Sequence, residues 1–259
     1  MTSALWGILV VLVSVAVALA GQILVQRLVP LQVRESHNTG LGMIYAVIYV
    51  MYTLALAFSL FIVWSGFREA QRATDNEADA VGDLYQLAAE FPEPEHHRIQ
   101  DLCRSYARVV AEEEWPMLGG DRGGRGSPHA QAVVDELVET VEHFEPDNGR
   151  QLTLYGQGIT QVQILDDNRE LRLLESHQGV PFILWVILVG GGALTIAFGF
   201  LVGMKEPWLH RVSIASLTVL IVLILYTIHL IEYPFTSDVQ VTPAPFESVS
   251  DRMESWAND

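Results

Sequence analysis

The chain has 259 residues, of which 50% are apolar, and its mean hydropathy of +0.28 is high for a soluble globular domain. Acids outnumber bases by 31 to 15, and the resulting net charge of −16 argues against a nucleic-acid binder, which needs Lys and Arg to neutralise phosphates. The single cysteine, Cys103, excludes an intrachain disulfide and a multi-cysteine zinc or iron–sulfur centre. What remains is an integral membrane protein with an acidic soluble part.

Four apolar stretches have the ~20 residues that a helix needs to cross a bilayer. They cover residues 4–25, 41–64, 181–204 and 212–231, and none of them contains Asp, Glu, Lys or Arg. Residues 1–3 have no basic side chain, so we interpret the first stretch as a span rather than as a cleaved signal. The absence of charge argues against a voltage sensor or a carboxylate proton relay, whereas a passive path with a neutral constriction is permitted.

The second stretch carries a polar stripe. Tyr45, Tyr49 and Tyr52 follow one another at intervals of four and three residues, and Ser59 continues the same face. Polar groups at membrane depth need hydrogen-bond partners, so this face either packs on another helix or lines a hydrated path. At the N-terminal end of this stripe, Asn38 and Thr39 can cap the helix or bind an incoming ion. The pore-lining candidates are therefore Asn38, Thr39, Tyr45, Tyr49, Tyr52 and Ser59.

Residues 65–180 are predicted to form an acidic, water-exposed helical bundle inserted between the second and third spans. The second span is expected to run on through residues 68–90, and a second helix to cover residues 95–115 until Pro116 stops it. Ser127 as N-cap and Pro128 at the first helical position open a third helix. A fourth helix begins near residue 150 and continues to about residue 174.

This bundle contains no recognisable catalytic motif, so we predict neither an enzyme nor a cofactor. The glycine-rich stretch 119–126 lacks the Gly-Lys-Ser/Thr of a phosphate loop and is interpreted as a linker. Glu93, Glu95, His96 and His97 are metal ligands by residue type, but neighbouring helical residues point about 100° apart, and we therefore predict no metal site. One of the three acids at 112–114 is expected to pair with an arginine across the bundle.

The third span places small residues at four-residue intervals: Gly191, Thr195, Gly199 and Gly203. Such a stripe permits close helix packing, within a subunit or between subunits. The four parts of the chain are thus residues 1–64 with two spans, 65–180 with the helical bundle, 181–231 with two further spans, and a tail of residues 232–259 that we expect to be extended. Four basic residues border each side of the membrane, so their count does not fix the orientation.

Several short motifs resemble the bestrophin-like family of bacterial membrane proteins, long catalogued as a domain of unknown function. The resemblance covers nearly the whole chain. The residues that carry it are Arg34, Asn38 and Gly40, Glu77-Ala78, Tyr106, Glu114-Trp115-Pro116, Arg169, Arg172-Leu173, Pro234-Phe235, Pro243 and Phe246.

The resemblance implies an oligomeric ion channel, a pentamer of identical subunits in the bacterial inner membrane, whose second spans ring a central pore. Residues 41–64 would then be the pore helix, residues 65–180 would be cytoplasmic, and the partners would be membrane lipid, copies of the same chain and inorganic ions. A non-conducting membrane sensor or scaffold is the alternative. The sign of the ion stays open, because residues 65–180 carry 23 acids and 10 arginines, which favours monovalent cations, whereas well-known bestrophins conduct chloride.

Overall fold

The computed structural model describes residues 2–119, 126–236 and 238–257, and within these residues every regular element is a helix. The predicted linker at 119–126 lies mostly outside the described residues. The ten α-helices are α1 (Thr2–Leu28), α2 (Leu31–Ser36), α3 (Asn38–Ala88), α4 (Glu95–Val109), α5 (Trp115–Leu118), α6 (Pro128–Glu142), α7 (Gly149–His177), α8 (Phe182–Phe200), α9 (Pro207–Ile231) and α10 (Ala244–Trp256). Four of them, α1, α3, α8 and α9, are long and apolar enough to cross a membrane.

The chain divides into two compact units. The apolar unit contains Met1–Trp64 and Gly179–Glu232, and the polar unit contains Ser65–Gln178 and Tyr233–Asp259. Helix α3 contributes its first half to the apolar unit and its second half to the polar unit.

The apolar unit buries little of its own hydrophobic surface. Its core is small and includes Tyr52, Leu188, Ile221 and Ile228. Only 11–28% of the residues in the most apolar window of each long helix are buried. Most of the Leu, Ile, Val and Phe side chains therefore point outward, as expected for helices that contact lipid or neighbouring subunits.

The polar unit has a conventional hydrophobic core formed by α3, α4, α6, α7 and α10. In α3 the buried positions alternate at intervals of four and three residues: Ala70, Thr74, Glu77, Val81, Leu84 and Ala88. The buried residues of helix α7 have the same spacing: Gly158, Val162, Leu165, Arg169, Arg172 and Ser176. This spacing keeps one face of each helix turned towards its neighbours, and the charged side chains within it are therefore buried.

The helix after residue 95 differs from the prediction. Instead of ending at Pro116, it changes into a wide π-helical turn at Val110–Glu114 and continues as α5. The Trp115 N–H donates to the Val110 carbonyl, five residues back. In a regular α-helix the Pro116 ring would clash with the carbonyl of Glu112, and the wider turn relieves this clash.

The prediction of an extended C-terminal tail is wrong, because residues Ala244–Trp256 form α10. Phe246, Val249 and Met253 recur at helical spacing and are fully buried in the core of the polar unit. The prolines at 243 and 245 suggested extended backbone, but they occupy the N-cap and the first turn, where a missing N–H costs no hydrogen bond.

Candidate functional site

The first half of α3 packs on the apolar unit along one face. Tyr52 is 7% exposed, and Leu56 is buried beside it in the core that this face shares with α8 and α9. A Cβ atom on Gly191 would lie 2.7 Å from Cδ2 of Tyr52, and one on Gly192 would lie 2.8 Å from the Tyr52 hydroxyl. Only glycine fits where α8 meets the tyrosine ring, so close approach of the backbone holds these two helices together.

Two of the predicted pore-lining residues are thus used inside the subunit. Tyr52 packs on α8, and Ser59 is buried, with its hydroxyl donating to the Ala55 carbonyl at 2.9 Å. Tyr45 and Tyr49 lie ring to ring, 6.3 Å between centroids, and Tyr49 is 38% exposed. Thr39 is also exposed. The polar stripe is therefore split between the interior and the surface of the unit.

Asn38 binds the segment that follows α8. Its side-chain amide donates to the Gly203 carbonyl and accepts from the Gly203 N–H, both at 2.8 Å. A Cβ atom on Gly203 would lie 2.7 Å from the backbone nitrogen of Glu35, so the two segments meet backbone to backbone. Arg34 is buried beside them, with Nη1 3.5 Å from the Phe200 carbonyl. Arg34 approaches a carbonyl that the end of α8 leaves unpaired, and Asn38 satisfies both backbone groups of Gly203 in the segment after it.

The small-residue stripe of α8 makes its contacts within the subunit. Gly191 meets Tyr52, and a Cβ atom on Gly199 would lie 2.8 Å from Cδ1 of Ile214 in α9. Thr195 is buried and donates its hydroxyl to the Gly191 carbonyl. Together with Gly203, these residues bring α8 close to α3, α9 and the segment before α3.

The opposite face of α3 is uncovered. Its side chains recur at helical spacing on the side away from Tyr52 and are 51–69% exposed: Met43, Val47, Val50, Leu54 and Phe61. Helices α1, α8 and α9 pack on one another, and α3 joins them through the face that carries Tyr52 and Leu56. An apolar surface of this length requires lipid or a second subunit to cover it.

A second constellation lies in the core of the polar unit, where two acids and two arginines are paired. Arg172 donates from Nε and Nη2 to the two oxygens of Glu77 at 2.6 and 2.8 Å, and from Nη2 to Glu114 at 2.7 Å. Arg169 donates from Nη1 and Nη2 to the two oxygens of Glu114 at 2.6 and 2.8 Å. The Tyr106 hydroxyl donates to Glu77. These five residues, the charge network, are at most 2% exposed and together are neutral.

The electrostatics of the charge network favour the ionised pairs. Burial opposes the charge on Glu114, but the hydrogen bonds and charges of Arg169 and Arg172 outweigh it and bring the pKa of Glu114 below its ordinary value. Burial likewise opposes the charge on Arg172, yet the Glu77 and Glu114 carboxylates raise its pKa. Burial and the Glu77 charge raise the pKa of Tyr106 far above its ordinary value, so it stays a neutral donor.

Aromatic rings cover the charge network. The guanidinium carbon of Arg172 lies 5.4 Å from the centre of the Trp115 ring and 5.7 Å from that of Phe246. Phe235 packs edge-on against Trp115, with 5.4 Å between ring centres. The resemblance motifs of the polar unit, including Phe235 and Phe246 of the C-terminal tail, thus converge on one buried cluster, whereas Arg34 and Asn38 lie in the apolar unit. The sequence predicted that one acid of 112–114 pairs with an arginine, and Glu114 does so; the part of Glu77 was missed, although it lies on the buried stripe of α3.

The two neighbouring histidines at the start of α4 lie close together, contrary to the prediction from the sequence. His96 and His97 were expected to diverge, but their rings lie 4.7 Å apart, edge to face. Both Nδ1 atoms are turned towards the carboxylate of Glu93.

Comparisons with known proteins agree with this architecture. Crystal structures of a bacterial bestrophin homolog from Klebsiella pneumoniae have the same fold. One mutant of it matches with a TM-score of 0.72 at 12% identity, covering 96% of this chain and 99% of that chain. A second mutant gives 0.70 at 14% identity over the same shares. A structure of this homolog phased with zinc gives 0.69 at 12% identity over 96% and 98%.

No curated protein matches the chain with significant similarity. A family model, by contrast, covers most of it. Because the model described as the Bestrophin-like domain matches residues 12–246, the chain belongs to the Bestrophin-like domain family.

Proposed function

We propose that the chain assembles into a ring of identical subunits, a pentamer, and conducts small monovalent ions through a pore lined by α3. The observation that carries the proposal is the uncovered apolar face of α3, which includes Met43, Val50 and Leu54. A ring that places one copy of this face from each subunit around an axis would form a neutral constriction. Membership of the Bestrophin-like domain family supports a channel over other membrane functions.

The pore-lining face proposed here is not the tyrosine face predicted from the sequence but the uncovered apolar face of the same helix. Tyr52, Ser59 and Asn38 have partners inside the subunit, so the role passes to the uncovered face, with Tyr49 at its border. A non-conducting scaffold is the competing function. Its helices would have the same contacts, but lipid would cover the exposed face of α3.

Two leucines of α3 provide a matched test. Leu54 is 51% exposed and Leu56 is 4% exposed, although they are separated by only one residue. Each is replaced by cysteine, and currents through the purified protein are recorded in planar bilayers before and after a charged, water-soluble methanethiosulfonate reagent. The native Cys103 is fully buried and does not interfere.

We expect the reagent to block the current of Leu54→Cys and to leave that of Leu56→Cys unchanged. Current in both variants without block at Leu54 would mean that another surface lines the pore. If the wild-type protein carries no current over a range of voltages and salts, the scaffold function is correct.

For the ion sign, we propose monovalent cations. Residues 65–180 carry 23 acids and 10 arginines. The charge network is neutral, so the excess of negative charge lies on the remaining, mostly exposed groups. Such a field concentrates cations within a Debye length of ~8 Å at physiological ionic strength. Reversal potentials in a potassium chloride gradient should approach the potassium equilibrium potential. A reversal near the chloride potential would overturn the cation assignment and leave the channel intact.

We also propose that the chain lies in the bacterial inner membrane with residues 65–180 in the cytoplasm. A cysteine placed in segment 119–126 should resist a membrane-impermeant maleimide in intact cells, whereas Lys205→Cys, in the loop between α8 and α9, should react. The opposite labelling pattern would reverse the orientation.

A further inference from the structure

Three metal-ligating side chains lie together at the start of α4. Glu93 precedes the helix, and His96 and His97 are in its first turn. The Nδ1 of His97 lies 2.7 Å from Oε1 of Glu93, and that of His96 lies 3.4 Å from the same oxygen. One ligand atom from each residue falls within 4.8 Å of the other two. Among the described residues, no other trio of His, Cys, Asp and Glu is so close.

The geometry explains why two adjacent histidines can share one ligand. Side chains on a helix lean towards its N-terminus, so both imidazoles point back towards Glu93. In the first turn no preceding helical turn crowds them, and the rings lie edge to face, at 70° to each other. One carboxylate oxygen then stands between two ring nitrogens. A ring nitrogen that carries hydrogen donates to this oxygen, and in the other tautomer the same nitrogen offers its lone pair to a cation.

We propose that Glu93, His96 and His97 bind one divalent transition-metal ion, with Zn²⁺ as the preferred occupant. Zinc takes imidazole nitrogen and carboxylate oxygen at ~2.0–2.2 Å, and with three protein ligands its fourth position is filled by water. The exposure of His97 and Glu93 leaves that fourth position open to solvent. Magnesium and calcium prefer all-oxygen sites, so two imidazoles select against them.

The surrounding charge favours a cation at this position. Glu95 directly precedes His96, and residues 65–180 carry an excess of acids. The positive end of the α4 dipole opposes the ion, but its partial charge of about one half is smaller than the full charge on Glu93. A bound ion would connect the segment between α3 and α4 to the first turn of α4.

The test uses the full-length protein in detergent, without a histidine tag, and Zn²⁺ alone as the probe. Equilibrium dialysis measures the bound zinc for the wild type, Glu93→Gln, His96→Ala and His97→Ala. The matched control is His129→Ala, because His129 also faces an exposed carboxylate, that of Glu113 at 3.1 Å, but has no second imidazole.

We expect one zinc equivalent in the wild type, with an affinity that falls at least ~10-fold when any of the three ligands is removed and is unchanged in His129→Ala. Magnesium in hundredfold excess should not displace the bound zinc.

The thermal midpoint of the wild type should rise with zinc, and those of the three ligand variants should not, since a ligand that binds the folded state stabilises that state. Because the side chains of Glu93 and His97 are 59% and 73% exposed, Glu93→Gln and His97→Ala should unfold at the wild-type temperature in zinc-free buffer. Unchanged zinc affinity in the ligand variants, or an equal loss in His129→Ala, would overturn the proposal.

Discussion

The two units satisfy their buried polar groups in different ways. In the polar unit, charged side chains from α3, the π-helical turn and α7 bind one another across helices. In the apolar unit, most buried hydroxyls donate to a carbonyl four residues back in their own helix: Ser59, Thr195 and Thr218. Such local bonds satisfy the hydroxyl but do not tie one helix to another. In addition to its hydrophobic core, the polar unit is thus crossed by buried ion pairs, whereas the apolar unit relies on close packing at glycines and on neutral hydrogen bonds such as that of Asn38 with Gly203.

The largest effect is expected from breaking the charge network. Arg172→Met leaves Glu77 and part of Glu114 without a counter-charge in a fully buried position, which should destabilise the polar unit by about 3–5 kcal/mol. The measurement is thermal unfolding followed by a thiol-reactive maleimide dye, because Cys103 is buried in this unit and is the one cysteine of the chain.

The matched control is Arg98→Met. Arg98 also pairs with a glutamate, Glu136, but both side chains are about half exposed. An exposed pair contributes about 0–1 kcal/mol, so this variant should unfold close to the wild type. Equal destabilisation by the two substitutions would mean that burial of the pair is not what stabilises the unit.

A smaller effect is expected from added volume in the apolar unit. Gly191→Leu places a side chain where the Tyr52 ring lies, and overpacking of this kind costs about 1–3 kcal/mol. Gly190→Leu is the control, because a Cβ atom there meets nothing within 4 Å. The variants are compared by thermal unfolding monitored by tryptophan fluorescence. Similar unfolding temperatures for the two would contradict a packing role for Gly191.

Loss of the Asn38 side chain should have a more modest effect. Asn38→Ala removes two hydrogen bonds to Gly203 and should lower the stability of the apolar unit by about 1–2 kcal/mol. Thr39→Ala, at an exposed neighbouring position, should have no measurable effect in the same fluorescence assay. If neither substitution changes the unfolding temperature, the Asn38 side chain does not contribute to the stability of the apolar unit.

The smallest effect is the pH dependence contributed by Glu114 near neutrality. Its pKa in the folded protein is lowered, so the stability that its charge contributes is complete above its ordinary pKa of about 4.3 and is lost as the pH falls through the folded value. The difference in unfolding temperature between the wild type and Glu114→Gln should be constant from about pH 8 to 5 and should shrink only below about 4.3. A difference that shrinks already above pH 5 would show that Glu114 is not held ionised.

Much of the fold could be predicted from the sequence, because the signals are local. Apolar length predicts the four long helices, and the Ser127-Pro128 cap predicts the start of α6, where the Ser127 hydroxyl accepts from the His129 and Ala130 N–H groups. The errors arise where a residue's partner is distant in sequence. The amide of Asn38 bonds Gly203, and Phe246 packs against Tyr106 and Trp115, more than a hundred residues earlier. The spacing of Phe246, Val249 and Met253 indicates a helix, but a single sequence does not reveal which distant residues Asn38 and Phe246 contact.

The wide turn at Val110–Glu114 has a consequence for the history of the chain. A π-helical turn holds one residue more than the α-helical turn it replaces, so it amounts to a single-residue insertion absorbed inside a helix. Here the extra residue makes room for the ring of Pro116. The proline and the inserted residue should therefore be gained or lost together, and we expect relatives without a proline after the tryptophan to be shorter by one residue in this helix.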